Sequence, residues 1–207
     1  MPYDKVQISG KLLRWERFLQ QFNLPQWEEL PQIELYMDQV IVLLTDYLGF
    51  FVYEGNDEKL ITAAMVNNYV KLKLVPAPVK KKYGRAHLAC LIMICTFKQT
   101  QSMAVVKKML PTGDEESIKR DYNQFVGVHK RLALYFTEQV KTSAADIFDE
   151  SSHTGNEVSD LVMGAAVAAS FAKLLTGKII ALQLHSAGEK EKESKESKEK
   201  AAPGDRP

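Results

Sequence analysis

The chain has 207 residues, 45% of them aliphatic or aromatic and 26% charged, with a net charge of +1 and a mean hydropathy of −0.22. These are ordinary globular values, enough for one or two small domains with a core. The only cysteines, Cys90 and Cys95, lie five apart in an apolar run, which excludes a disulfide framework and matches no metal or redox pair.

Met1 to Lys5 has no apolar region behind it, so no signal peptide is expected and the chain reads as cytoplasmic. Lys11 to Phe22 predicts an amphipathic helix with Leu12, Trp15, Leu19 and Phe22 on one face. Leu24 to Pro31 is a proline-bracketed helical turn with Pro25 at its first position, and Trp27 reads as a satellite of the core. Leu35 to Leu48 predicts a third helix, closed by Gly49. Phe50 to Tyr53 suits a short strand, and Gly55-Asn56-Asp57 marks a turn.

Between Ile61 and Gly113 there is no Asp or Glu, while nine Lys or Arg fall there: Lys71, Lys73, Lys80, Lys81, Lys82, Arg85, Lys98, Lys107 and Lys108. The flanks are acidic: residues 1–60 hold five Lys/Arg against ten Asp/Glu, and residues 114–185 hold seven against ten. Near neutrality thus hides a basic block, as expected of a phosphate-binding surface. Inside it, Thr62 is a candidate N-cap for a short helix running to Leu72, with Ile61, Met65, Tyr69 and Leu72 at helical spacing. Pro76 ends that helix, and Leu74 to Tyr83 reads as a small proline-marked hairpin or wing. A nearly all-apolar helix from Arg85 to Gln99 follows, then a shorter one from Ser102 to Leu110.

Asp114-Glu115-Glu116 opens a long helix, where acids favour the dipole. Ile118, Tyr122, Phe125, His129, Leu132 and Phe136 step along it like a coiled-coil seam, serving either a dimer or another helix of the same chain. After a loop at Ser151 to Asn156, Val158 to Leu184 predicts a second long helix, with Gly164, Ala168 and Ala172 four apart beside a bulkier stripe of Phe171, Leu175, Ile179 and Leu182. Its charge-free run, Leu161 to Ala172, is short of the ~20 residues of a membrane span, so no membrane is expected. Residues 186–207 are Lys/Glu/Ser repeats with six charges of each sign, read as disordered.

Asn67-Asn68-Tyr69-Val70-Lys71-Leu72-Lys73-Leu74-Val75-Pro76 resembles the recognition-helix and turn segment of MerR-type regulators. Tyr83-Gly84-Arg85-Ala86-His87-Leu88 is similar to the segment closing their wing, and Gln101 to Leu110 to the helix that follows. Asn67 and Asn68 stand where that family has Arg and Tyr, Lys73 replaces its turn glycine, and the wing is shorter. Residues 11–140 taken together look like a family of uncharacterised bacterial proteins with a MerR-like core, a resemblance that brings no known ligand.

The fold expected is all-α with a small β-wing: a MerR-like winged helix-turn-helix plus long C-terminal helices. The expected organisation is an N-terminal extension over 1–32, a DNA-binding domain over 33–110, a dimerisation or effector region over 111–185, and the charged tail. The function expected is a transcriptional regulator binding double-stranded DNA, as a homodimer through its C-terminal helices. Thr62 would cap the recognition helix. Asn67 or Asn68 would read adenine. Tyr69 divides between core and phosphate contact, and Lys71, Lys73, Lys80, Lys81, Lys82 and Arg85 would hold phosphates. The alternative is a helical interaction or ligand-sensing module that no longer binds DNA. An enzyme is not expected: His87, His129, His153 and His185 are scattered, and no nucleophile, P-loop, dinucleotide or zinc motif occurs, so no cofactor or metal is implied.

Overall fold

A computed structural model describes residues 4–21, 23–53, 59–148 and 156–200, with the side chains of residues 5, 18–21 and 183–200 left aside. Eight α-helices follow in chain order: α1 Lys5–Gln21, α2 Met37–Tyr47, α3 Ala63–Lys71, α4 Arg85–Phe97, α5 Met103–Met109, α6 Glu115–Ser143, α7 Ala145–Phe148 and α8 Glu157–Lys200. The fold of the described residues is all-α, with two 3-10 turns and two isolated β-bridges but no strand. The chain divides into two compact units, Met1–Ala165 and Ala166–Pro207.

The first unit is built around α4. Its residues Leu88 to Cys95 are all buried, because it is apolar on every face and a helix of that kind must lie inside. Around it gather Val40 and Leu44 of α2, Val66 and Tyr69 of α3, Val106 of α5, and Ile118, Tyr122 and Val126 of α6. The 3-10 turn Trp27–Glu29 closes one end: the Trp27 N–H donates to Asn123 Oδ1 at 2.9 Å and the Tyr122 hydroxyl to the Pro25 carbonyl at 2.8 Å. Trp27 is therefore core. That core runs from Leu24 to Val126, across the boundaries expected at 32 and 110. A smaller cluster joins Ala144, Ile147 and Val158 to Ile8 and Leu12 of α1, while Trp15 meets Phe136 edge-on at 5.9 Å.

Several expectations change. Residues 49–51 form a 3-10 turn rather than a strand, with Phe50 and Phe51 packed on the core. Residues 48–62 join α2 to α3, much longer than a three- or four-residue helix-turn-helix connection. The seam on α6 holds only in part: Ile118 and Tyr122 are buried in the chain's own core, whereas Leu132 is 57% exposed. Residues 186–200, expected to be disordered, continue α8, in keeping with the helix propensity of Lys and Glu. Glu157–Leu182 is long and apolar enough by length and composition to cross a membrane, since two lysines interrupt charge but not helix. Phe22, the turn at residues 55–57, the acids at 149–150, all of the 151–156 loop but Asn156, and residues 201–207 lie outside the described residues.

Candidate nucleic-acid interface

α3 forms because Thr62, in extended geometry, accepts the Met65 N–H on its hydroxyl at 3.2 Å. Val66 and Tyr69 turn inward. Ala63, Ala64, Asn67, Asn68 and Lys71 remain exposed on the solvent side, the first two so small that another molecule can approach the backbone. Of the residues expected to bind DNA here, Asn67, Asn68 and Lys71 are thus available. Thr62 serves as the cap. Tyr69 is only 5% exposed and packs in the core.

The end of α3 is a Schellman turn: the Lys73 N–H donates to the Val70 carbonyl at 3.0 Å and the Leu74 N–H to the Tyr69 carbonyl at 2.9 Å. Such a turn asks the residue just past the C-cap for left-handed backbone, and Lys73 there has φ 58° where glycine is the usual occupant. Leu74 and Val75 then plug the core, fixing where Lys73 emerges.

No β-wing strand forms at 74–83. Pro76 and Pro78 carry no N–H for a ladder, and what remains is one tight turn, with the Lys82 N–H donating to the Val79 carbonyl at 2.9 Å. Lys80 and Lys81 at its tip have φ 50° and 63°, the pair of positive angles of a type I′ turn, where Asn-Gly is favoured. Among the described residues, every non-glycine with positive φ is a lysine, and all three are exposed. Each costs about 1 kcal/mol relative to a residue suited to that geometry.

The turn is held at its base. Leu35 and Tyr83 exchange two backbone hydrogen bonds of 2.9 Å, Tyr83 is buried, and the Lys82 Nζ lies 5.6 Å from the centre of the Tyr36 ring. His87 accepts the Gly84 N–H on Nδ1 at 3.0 Å, which leaves its proton on Nε2, facing the Ala77 carbonyl at 3.3 Å.

Two cations of the block are occupied elsewhere. Arg85 donates Nε–H to the Leu30 carbonyl at 3.0 Å and an Nη2 proton to that of Glu28 at 3.1 Å, so it braces α4 against the 3-10 turn. Lys98, half-buried, donates to the Leu60 carbonyl at 2.6 Å. Burial pushes the Cys90 and Cys95 thiols up to about 12 and about 11, in keeping with reduced core thiols.

A family model described as a domain of unknown function (DUF1836) matches residues 25–131, more than half of the chain. The chain belongs to that family. Neither a curated protein nor a solved structure matches it. The DUF1836 span nearly coincides with the main core, from Leu24 to Val126, and includes the whole acid-free block. Sequence reasoning missed three features of this segment: the left-handed lysines, the Leu35–Tyr83 pairing, and Tyr36 beneath Lys82. Lys73 alone had a sequence signal, as a lysine in the glycine position of a turn.

Proposed function

We propose that the protein binds duplex DNA as a regulator of MerR-like type, with α3 approaching a groove and the lysine turn on the adjoining phosphates. The observation that carries this reading is the set of left-handed lysines. A fold indifferent to charge would place glycine or asparagine at 73, 80 and 81; instead cations stand there, in a segment of 53 residues without one carboxylate. Asn67 and Asn68 offer amides able to pair with adenine, beside two alanines that suit close contact. The likeness of residues 67–110 to MerR-type motifs supports the same reading.

Dimerisation would run through α8. Ala165, Ala168, Ala172, Leu175, Ile179 and Leu182 follow the three-four rhythm of a coiled-coil seam, with Lys173 and Lys178 off it. A bilayer fits less well. The nine Leu, Ile, Phe and Val of residues 161–182 favour insertion by about 3–5 kcal/mol, whereas a central lysine alone opposes it by about 2.5–3.5 and Lys178 adds to that.

The test is binding of a mixed-sequence duplex across a salt series. With Lys71, Lys73, Lys80, Lys81 and Lys82 neutralising phosphates, log affinity falls against log salt with a slope of about −4 to −5. The charge reversal K80E/K81E/K82E abolishes binding and leaves the helical circular dichroism intact. The long 48–62 connection and the missing strands favour a second reading, a helical interaction module. No binding at low salt selects it.

A further inference from the structure

The charge pattern has a mirror image. Residues 18–58 hold eight Asp or Glu and no Lys, Arg or His, directly before the acid-free block. In this acidic half, an open groove of about 550 Å³ runs along α2. Its apolar lining is Ile33, Leu35, Val42 and Leu43, of which Ile33 and Val42 are 71% and 70% exposed. Asp38 and Asp46 stand on its border, eight residues and therefore about 12 Å apart along the helix. Neither makes an ion pair with a described residue. The helix dipole accounts for Asp38 in the first turn but not for Asp46, which sits at the carbonyl end, where an anion is unfavourable.

We infer that this groove docks an amphipathic helix of a protein partner, carrying an apolar stripe bordered by two cations about one heptad apart. The carboxylates repel phosphate, which excludes nucleic acid and anionic lipid from this face. Two helical turns separate the acids, and Lys or Arg one heptad apart span nearly the same distance. No described helix of this chain presents that pattern: on α8, Lys173 and Lys178 are five apart. The occupant is therefore not a second copy. The apolar floor supplies adhesion, and the two acids set register and orientation. This inference stands apart from DNA binding.

Fluorescence anisotropy with the full chain tests it, using an alanine-based helical peptide with a leucine stripe and two arginines one heptad apart on its border. A twin carries glutamates for the arginines, and a third a central proline. The arginine peptide binds, and the other two bind about tenfold more weakly or worse. D38N/D46N lowers its affinity about tenfold at low salt, the sum of two exposed ion pairs. V42D lowers it further, and all these side chains are exposed, so circular dichroism stays unchanged. Equal binding of the arginine and glutamate peptides, or affinity unmoved by D38N/D46N, overturns the proposal. Equal binding of the proline peptide overturns the helical occupant. Self-association that D38N/D46N abolishes, without peptide binding, would seat a second copy there and also overturn it.

Discussion

Arg85 reaches from the first turn of α4 to the Leu30 carbonyl, 3.0 Å from its Nε, and so ties the 3-10 turn to the central helix. The bond separates two roles that a basic residue in a basic block can have. Arg85→Ala is expected to cost about 1–3 kcal/mol in denaturant unfolding, since two carbonyls lose a charged donor. Arg85→Lys keeps the charge and loses the fork, so it should destabilise nearly as much. The salt slope for DNA should stay as in the wild type for both. A slope shallower by about one in Arg85→Ala, with stability unchanged, would return Arg85 to the phosphates.

Lys80→Asn with Lys81→Gly gives the turn the residues its backbone favours while removing two charges. Stability should rise by about 2 kcal/mol and the melting temperature by several degrees. DNA affinity should fall, with the slope shallower by about two. Lys73→Gly should act in the same two directions at the end of α3. Variants that bind as tightly as the wild type would remove the turn from the interface.

His129 packs half-buried between Phe50 and Phe125, with ring centres 5.7 and 6.1 Å away, and burial holds its pKa below the usual 6.5. The unfolded chain therefore takes up a proton that the folded chain resists. Stability from this site is complete above pH 6.5 and declines as the pH falls below it. His129→Leu should flatten that part of the stability–pH curve. An unchanged decline would move its cause to other groups.

Leu175→Glu with Ile179→Glu places carboxylates on the proposed α8 seam, at positions 61% and 50% exposed. Sedimentation should change from dimer to monomer while the core stays folded, and duplex affinity should drop as the second contact site is lost. A wild type already monomeric at tens of micromolar would dispose of the seam.

Much of the helical plan was legible, because the signals were local. Thr62 and Asp114 announce helix starts; Thr62 caps as expected, and Asp114 also caps, by accepting the Ser117 N–H at 3.0 Å. The all-apolar run of α4 could only be interior. Elsewhere the deciding partner was distant. Phe50 to Tyr53 has strand composition, but packing on the core overrides it, as β-propensity depends on context. Arg85 resembles any basic-block arginine until the Glu28 and Leu30 carbonyls arrive from far away in sequence. On α6 the 3.5-residue seam named Phe125 and Leu132, yet the chain buries Ile118, Tyr122 and Val126 in steps of four, because an uncoiled helix drifts from a heptad. Backbone handedness at Lys80 and Lys81 was invisible, since lysine carries no preference for it, while Lys73 was marked only by standing where the resembling motif has a turn glycine.

α6 begins against α4 in the main core and ends against α1, where Lys141 pairs with Glu16 at 2.8 Å. One continuous helix, about 43 Å long, thus supplies Ile118, Tyr122 and Val126 to the main core and packs Phe136 on Trp15 of α1. Helix formation is cooperative, so melting one end of α6 withdraws support from the other. Damage to the α1 layer is therefore expected to be felt in the stability of the DUF1836 core, through the helix they share.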